Sequence, residues 1–345
     1  MTNSDNVSKA SNIAPGLANN CVNRSGESGG NRSQRVTSPP GYACRYALKE
    51  RAIRIHGCIV LLTLVAPFAI AEQPQSNDAK RGEDWVYIQN ADLRVGFLRS
   101  HGGAIAYLSR RNSDFNYLNH YDHGRLVQQS YYGDEDGSHW VDKPWRYNPV
   151  QGGDYKGSAA KLMDFKSTDT NVYSKTVPRH WASGRLLEEC TMEQWVELDG
   201  PIVRMRCKFT YGGSKTHKPR HQETPAVFVT PELSTLVAYT GRKPWTGARL
   251  TRKTPGWPNE PVALSESWAA FVDKDGNGIG VYVPGTTEAT CYRFKGGSGS
   301  DCSYIAPLRT FALTPQLSFL YSAYFTLGNA EAIRDRFMQL HAKTE

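Results

Sequence analysis

Beyond residue 72, apolar and polar positions alternate in short runs separated by Gly, Asp, Asn and Pro, the pattern of half-buried strands. Residues 85–88 (WVYI) open the series and residues 93–98 (LRVGFL) alternate. Residues 101–105 (HGGAI) then mark a glycine turn into residues 106–108. Two alternating runs, 192–198 and 202–211, flank Asp199-Gly200, a strong short-range hairpin signal. A second hairpin is predicted for residues 268–283, turning at Asp273–Gly278, and residues 317–327 form a last long strand. Only the C-terminal segment has helical spacing: Asn329 can cap, and Ile333, Phe337 and Leu340 share a face. Without an internal repeat or linker, the pattern predicts one all-β domain over residues 72–345, a β-sandwich or β-supersandwich with a short C-terminal helix.

Residues 1–71 read differently. Residues 1–46 are rich in Ser, Asn, Gly and Arg and lack hydrophobic periodicity, which predicts disorder. Lys49, Arg51 and Arg54 precede an apolar run at 57–71 that ends in Ala69-Ile70-Ala71, a signal-peptide pattern with Glu72 as the new start. The run falls short of the roughly 20 residues of a spanning helix, and Pro67 interrupts it. The expected location is therefore periplasmic or extracellular, with membrane contact only through an uncleaved signal segment.

This leader changes the charge picture. The chain has 41 Lys+Arg and 33 Asp+Glu, a net +8. The leader holds 8 basic and 3 acidic residues, leaving 33 against 30, or +3. No dense basic stripe remains, so nucleic acid is a poor partner. A mild positive balance still suits an anionic polysaccharide. The four cysteines after the leader, Cys190, Cys207, Cys291 and Cys302, suggest two local disulfides in an exported chain, 190–207 and 291–302.

Residues 122–154 carry the candidate chemistry. This stretch packs Arg, Gln, Asn, Asp, His, Tyr and Trp together with few aliphatic residues, a composition suited to gripping a polar, ring-shaped ligand. Arg125 offers a planar donor fork for carboxylate or sulfate. Gln128, Asn148 and Gln151 offer paired donors and acceptors for hydroxyls. Tyr131, Tyr132 and Trp145 offer flat faces, as does Trp245 in the loop GRKPWTG. Asp122 completes the candidate binding set. Period-2 spacing puts Gln128, Ser130 and Tyr132 on one face and Tyr131 on the other. The opposite assignment is a long polar loop whose side chains tie down its own backbone.

Candidate proton carriers lie further on. His221 and Glu223, two residues apart, share a face if extended and make a reasonable acid–base pair. Asp154 is the second carboxylate that a glycosidase would need. A lyase would instead use a Tyr or His base with an Arg or amide to neutralise the substrate carboxylate, a set that Tyr131, Tyr132, His120, His123, Asn119 and Arg125 could supply. Asp273-x-Asp275-x-Asn277 imitates the start of a calcium loop, but Pro284 stands where the closing Glu belongs. Neither metal nor cofactor is expected.

The run D-x-G-R-x-x-Q-x-S-Y-Y (Asp122, Gly124, Arg125, Gln128, Ser130, Tyr131, Tyr132), followed by N-P-V-Q-G-G-D (Asn148 to Asp154), resembles a group of exported proteins of polysaccharide-degrading bacteria. P-A-V-F at 225–228 and Y-T-G-R-K-P-W at 239–245 resemble the same group, and the likeness covers most of the chain after the leader. That group carries no activity over. The strand order and the Gly-Gly-Ala-Ile turn also resemble the galactose-mutarotase-like supersandwich. This second resemblance implies a His acid and a Glu base, for which His221 and Glu223 are the counterparts, although the surrounding motif departs. The expected function is cleavage of an acidic polysaccharide by a lyase or hydrolase. A non-catalytic glycan-binding module and a mutarotase-type epimerase are the alternatives.

Overall fold

The computed structural model describes residues 84–297 and 299–343. The predicted leader, signal segment and start at Glu72 lie outside them. Two large antiparallel sheets dominate. The ten-stranded sheet runs, edge to edge, through Trp85–Gln89, Leu93–Leu98, Ala104–Arg110, Val127–Ser130, Arg220–Val229, Cys302–Phe311, Glu288–Phe294 and Glu260–Ala263. Two short strands, Pro149–Val150 and Arg179–His180, attach beside Val127–Ser130. The nine-stranded sheet has the Leu317–Asn329 strand between Asn277–Tyr282 and Ile202–Tyr211.

Alternation places the core between these sheets. Val95, Phe97, Ile105, Val127, Val227 and Ile305 of one sheet meet Val196, Met205, Phe271, Ile279, Val281 and Phe325 of the other in one buried cluster. Both predicted hairpins form. Asp199 pairs with Ile202, and Gly200 takes the left-handed conformation (φ 52°) that the tight turn requires. In the second, Asp273 Oδ1 accepts from the backbone N–H groups of Asp275 and Asn277 at 2.9 Å each, which spends that carboxylate on its own turn.

The helix Ala330–Ala342 starts at Asn329, whose side chain accepts from the N–H of Ala332. Its buried face is Ile333, Phe337 and Leu340, set against Trp268 and Tyr282 on the outside of the nine-stranded sheet.

The expected disulfides are absent among the described residues, and the geometry explains why. All four cysteines are buried free thiols. Cys190 stands opposite Tyr211, whereas Cys207 stands opposite Gln194, about 13 Å along the strand at 3.3 Å per residue. Cys291 faces the core between the sheets, while Cys302 lies in the layer outside. Burial pushes each thiol up to about 12. Proximity in sequence was a poor guide because strand register and pleat decide which side chains meet.

Candidate functional site

A second buried layer lies on the outer face of the ten-stranded sheet, and it is aromatic. Phe228, Tyr292, Tyr304 and Leu308 rise from its strands. Trp140, Trp145 and Trp181 pack on them. The tryptophans come partly from a small hairpin, Glu135–Trp140 and Lys143–Arg146. Two contacts tie this hairpin down. His180 Nε2 sits 2.8 Å from Asp136 Oδ2, and His217 Nδ1 accepts from the N–H of Asp134 at 3.0 Å.

Glu223 is the buried carboxyl of this layer, 4% exposed. Its strand breaks register between Glu223 and Ala226, where Pro225 has no N–H to give the ladder. Such irregularities re-aim a side chain. Glu223 Oε1 accepts from the Tyr132 hydroxyl at 3.0 Å and from the Tyr304 hydroxyl. Its Oε2 has no hydrogen-bond partner among the described residues. Burial pushes the carboxyl up, outweighing the hydroxyls that favour its charge. Burial and the carboxylate hold both phenols well above the usual tyrosine range.

Neighbouring residues fix this arrangement. Gln222, on the opposite pleat, accepts from the N–H of Tyr132 at 2.6 Å and donates to the carbonyls of Tyr132 (3.0 Å) and Phe311 (3.1 Å). That clamp holds Tyr132 over Glu223. Next to them a groove of about 440 Å³ is lined by Tyr132, Arg146, Arg220, His221, Glu223 and Glu288, among others. His221 Nε2 stands 3.5 Å from Glu288 Oε1 at the more exposed rim. Arg220 pairs with Asp134 at 3.3 Å. Arg146 is held below the usual guanidinium range by burial and by Arg220. The groove thus combines two guanidiniums, a histidine and a carboxyl that resists ionisation.

His221 and Glu223 line one groove, and Tyr132, from a segment 91 residues from Glu223, joins them there. The other candidates lie elsewhere or are committed to the chain. Tyr131 points into the core between the sheets, stacks on Phe209 at 4.1 Å, and gives its hydroxyl to Gln129. Asp154 accepts from the N–H groups of Lys156 and Ser158 and shapes its own loop. Gln128 donates to the Gly124 carbonyl and accepts from the Gly152 N–H. Asn148 holds the Tyr131 carbonyl and the Trp145 indole N–H. Gln151 donates to Gly102 and Gln194 and accepts from the N–H of Gln129. Asp122 accepts from the N–H groups of Gly124 and Arg125. Trp245 lies beyond the nine-stranded sheet, stacked on His341 at 4.5 Å.

Sequence reading missed Arg146, Arg220 and Glu288, which come from three separate strands, and the stacked pair Tyr292–Tyr304 (centroids 4.6 Å apart). Both tyrosines lie on strands, Glu288–Phe294 and Cys302–Phe311, that the sequence reading did not name. Trp257, in the loop TPGWP, stays 45% exposed with its ring edge-on to Tyr292 at 4.8 Å.

No family model and no curated protein matches the chain. Solved structures do. A galactose mutarotase-like protein from Lactobacillus casei ATCC 334 is 13% identical over 70% of this chain and 99% of its own, with a TM-score of 0.50. A putative aldose 1-epimerase from Escherichia coli K12 is also 13% identical, over 70% of this chain and 98% of its own, with a TM-score of 0.48. A 4-alpha-glucanotransferase from Thermococcus litoralis is 12% identical over 70% of this chain but only 37% of its own, with a TM-score of 0.43. At such identities the likeness speaks for the fold alone. The fold is similar to that of the galactose mutarotase-like protein.

Proposed function

We propose that the groove beside Glu223 binds an acidic carbohydrate and cleaves it by proton transfer. The observation that carries this reading is Glu223 itself: a buried carboxyl, backed by two tyrosine hydroxyls, with Oε2 unpartnered among the described residues, at the edge of a cationic groove. A carboxyl whose pKa is raised by burial keeps its proton to higher pH than a free one, which suits a proton donor.

The residue set suits elimination from a uronic acid. Arg146 and Arg220 neutralise the uronate carboxylate, which makes the neighbouring C5 proton removable. His221 takes that proton. The bond from C4 to the bridging oxygen breaks, a C4–C5 double bond forms, and Glu223 gives its proton to the departing oxygen. His221 then loses its proton to solvent and Glu223 regains one, so no further reactant is needed. The fold likeness to a galactose mutarotase-like protein makes a carbohydrate ligand a natural choice. Export to the periplasm or outside the cell, inferred from the leader alone, fits a polysaccharide substrate.

A second reading, a glycan-binding module, is favoured by one observation. Trp257 presents an exposed ring beside Tyr292, the kind of platform on which sugars stack.

The test is incubation with neutral, uronic and sulfated polysaccharides, following reducing ends and the ultraviolet absorbance of unsaturated uronides. New reducing ends with new absorbance are expected. Reducing ends alone would mean hydrolysis. Retention on one polysaccharide with neither signal would mean binding only. If cleavage occurs, its rate should fall as pH rises through the raised pKa of Glu223, because the donor then loses its proton. A rate that does not respond to Glu223→Gln would remove Glu223 from the mechanism.

A further inference from the structure

Arg125 lies at the other end of the same aromatic layer. It is 0% exposed. Its guanidinium stands over Phe294 at 5.5 Å and Tyr121 at 4.9 Å. The nearest carboxylate, Asp122, is 3.8 Å from Nε, beyond hydrogen-bond reach, and its other oxygen accepts from the backbone turn. Nε, Nη1 and Nη2 all lack a hydrogen-bond partner among the described residues. A buried charge left this way is strongly unfavourable.

Arg125 is not alone. The indole N–H groups of Trp140 and Trp181 and the hydroxyl of Tyr292 are also buried without a partner among the described residues, and all three belong to the outer layer. Tyr292 links the two ends. Its ring stacks on Tyr304, which bonds Glu223, while Arg125 and Glu223 both act on its hydroxyl electrostatically. Natural proteins pair nearly all buried polar atoms. Arg125 with all three nitrogens unpartnered, beside a layer with three more unpartnered donors, is able to take a polar guest.

We infer that Arg125 is the anion-recognising residue of this layer, forking the carboxylate or sulfate of an acidic sugar, with Tyr292 and the Trp140 and Trp181 indoles as donors to its remaining oxygens. The inference rests on the carbohydrate reading of the groove and adds its specificity. A planar fork matches the two oxygens of a carboxylate or two of a sulfate, and a neutral sugar would leave the charge as it stands. This predicts that Arg125 adds to the preference for acidic over neutral sugars that Arg146 and Arg220 give the groove, and that Glu223 does not carry it.

The test measures binding, not turnover. Sodium glucuronate, glucose 6-sulfate and glucose are titrated, at matched ionic strength, against the wild type, Arg125→Met, Arg125→Lys and Glu223→Gln. Thermal unfolding without ligand is recorded for each. Wild type and Glu223→Gln should bind an acidic sugar more tightly than glucose. Arg125→Met should lose about tenfold to a hundredfold of that affinity, the effect of a charge-assisted hydrogen bond of about 1.5–3 kcal/mol, while glucose binding holds. Without ligand it should unfold close to wild type, since a buried guanidinium without hydrogen bonds goes together with its long ion pair to Asp122. Arg125→Lys keeps the charge but not the fork, and should bind the acidic sugar about tenfold more weakly.

Wild-type affinity for the acidic sugar in Arg125→Lys or Arg125→Met would overturn the inference, as would a wild type without preference between acidic sugar and glucose. A wild type that binds none of the three would overturn both this inference and the carbohydrate reading. Arg125-dependent binding without cleavage of any polysaccharide would keep the inference and overturn only the proposed reaction.

Discussion

Among the described residues two arginines are buried, and their surroundings are opposite. Arg334, on the C-terminal helix, donates from Nε to Glu266 at 3.0 Å, from Nη2 to the other oxygen of Glu266, and from Nη1 to the Ala248 carbonyl at 2.6 Å. Glu266 is filled in turn, accepting from the Trp268 indole at 2.9 Å and the Trp245 N–H at 2.7 Å. Arg125 makes none of these bonds. The same residue type thus serves as scaffold where its donors are spent inside the chain, and is a candidate for recognition where they are not. Burial alone does not separate the two roles; the bookkeeping of donors and acceptors does.

The largest effect should come from breaking the satisfied pair. Glu266→Ala strands Arg334 and should cost about 3–5 kcal/mol, read as a large drop in the denaturant midpoint. The double variant Glu266→Gln with Arg334→Met should recover most of that loss. If the single variant proves neutral, satisfied and unsatisfied arginines do not differ as stated.

Glu223→Gln tests the site side. It keeps the side-chain shape and should lower any cleavage rate about a hundredfold or more, a common worth of a positioned proton donor. Its effect on stability depends on pH. Glu223 holds its proton more tightly folded than unfolded, so its contribution is fully present below the ordinary carboxyl pKa and is lost as pH rises through the raised one. The variant should therefore show a flatter stability profile between the ordinary carboxyl pKa and the raised one, followed by thermal unfolding across pH.

Smaller effects are expected in the scaffold. Tyr131→Phe removes a buried hydroxyl from Gln129 and should cost about 1 kcal/mol without changing the rate. Asn329→Ala removes the helix cap and should cost about 1 kcal/mol at the Arg334 end only. A rate loss in either variant would mean that the two faces of the sandwich are coupled.

The contrast also explains what the sequence could and could not convey. Alternation named both hairpins and the shared face of His221 and Glu223, because period 2 is a local property; Tyr132 reaches Glu223 only through pairing of distant strands. Trp195 sits in the first of the two alternating runs. That ring lies on the outer face of the nine-stranded sheet, with the Arg206 guanidinium 4.6 Å above it. The amides of Gln128, Asn148 and Gln151 have the same donors and acceptors whether their partner is a sugar or a carbonyl, and only the tertiary fold shows that backbone and neighbouring amides take them. Arg146, Arg220 and Glu288 meet through strand pairings far apart in the chain, which no local pattern encodes.

The position of the Leu317–Asn329 strand has a consequence for how the chain assembles. It is the shared neighbour of Ile202–Tyr211 and Asn277–Tyr282. Until residues 317–329 have been synthesised, both of those strands keep an open edge, the surface on which chains stick to one another. The sheet is closed by its latest-made strand, so contacts far apart in sequence must form before it gains stability, and folding should be slow. During that wait the chain's solubility depends on whatever shields two bare edges, and a chaperone that binds extended segments would find its client there.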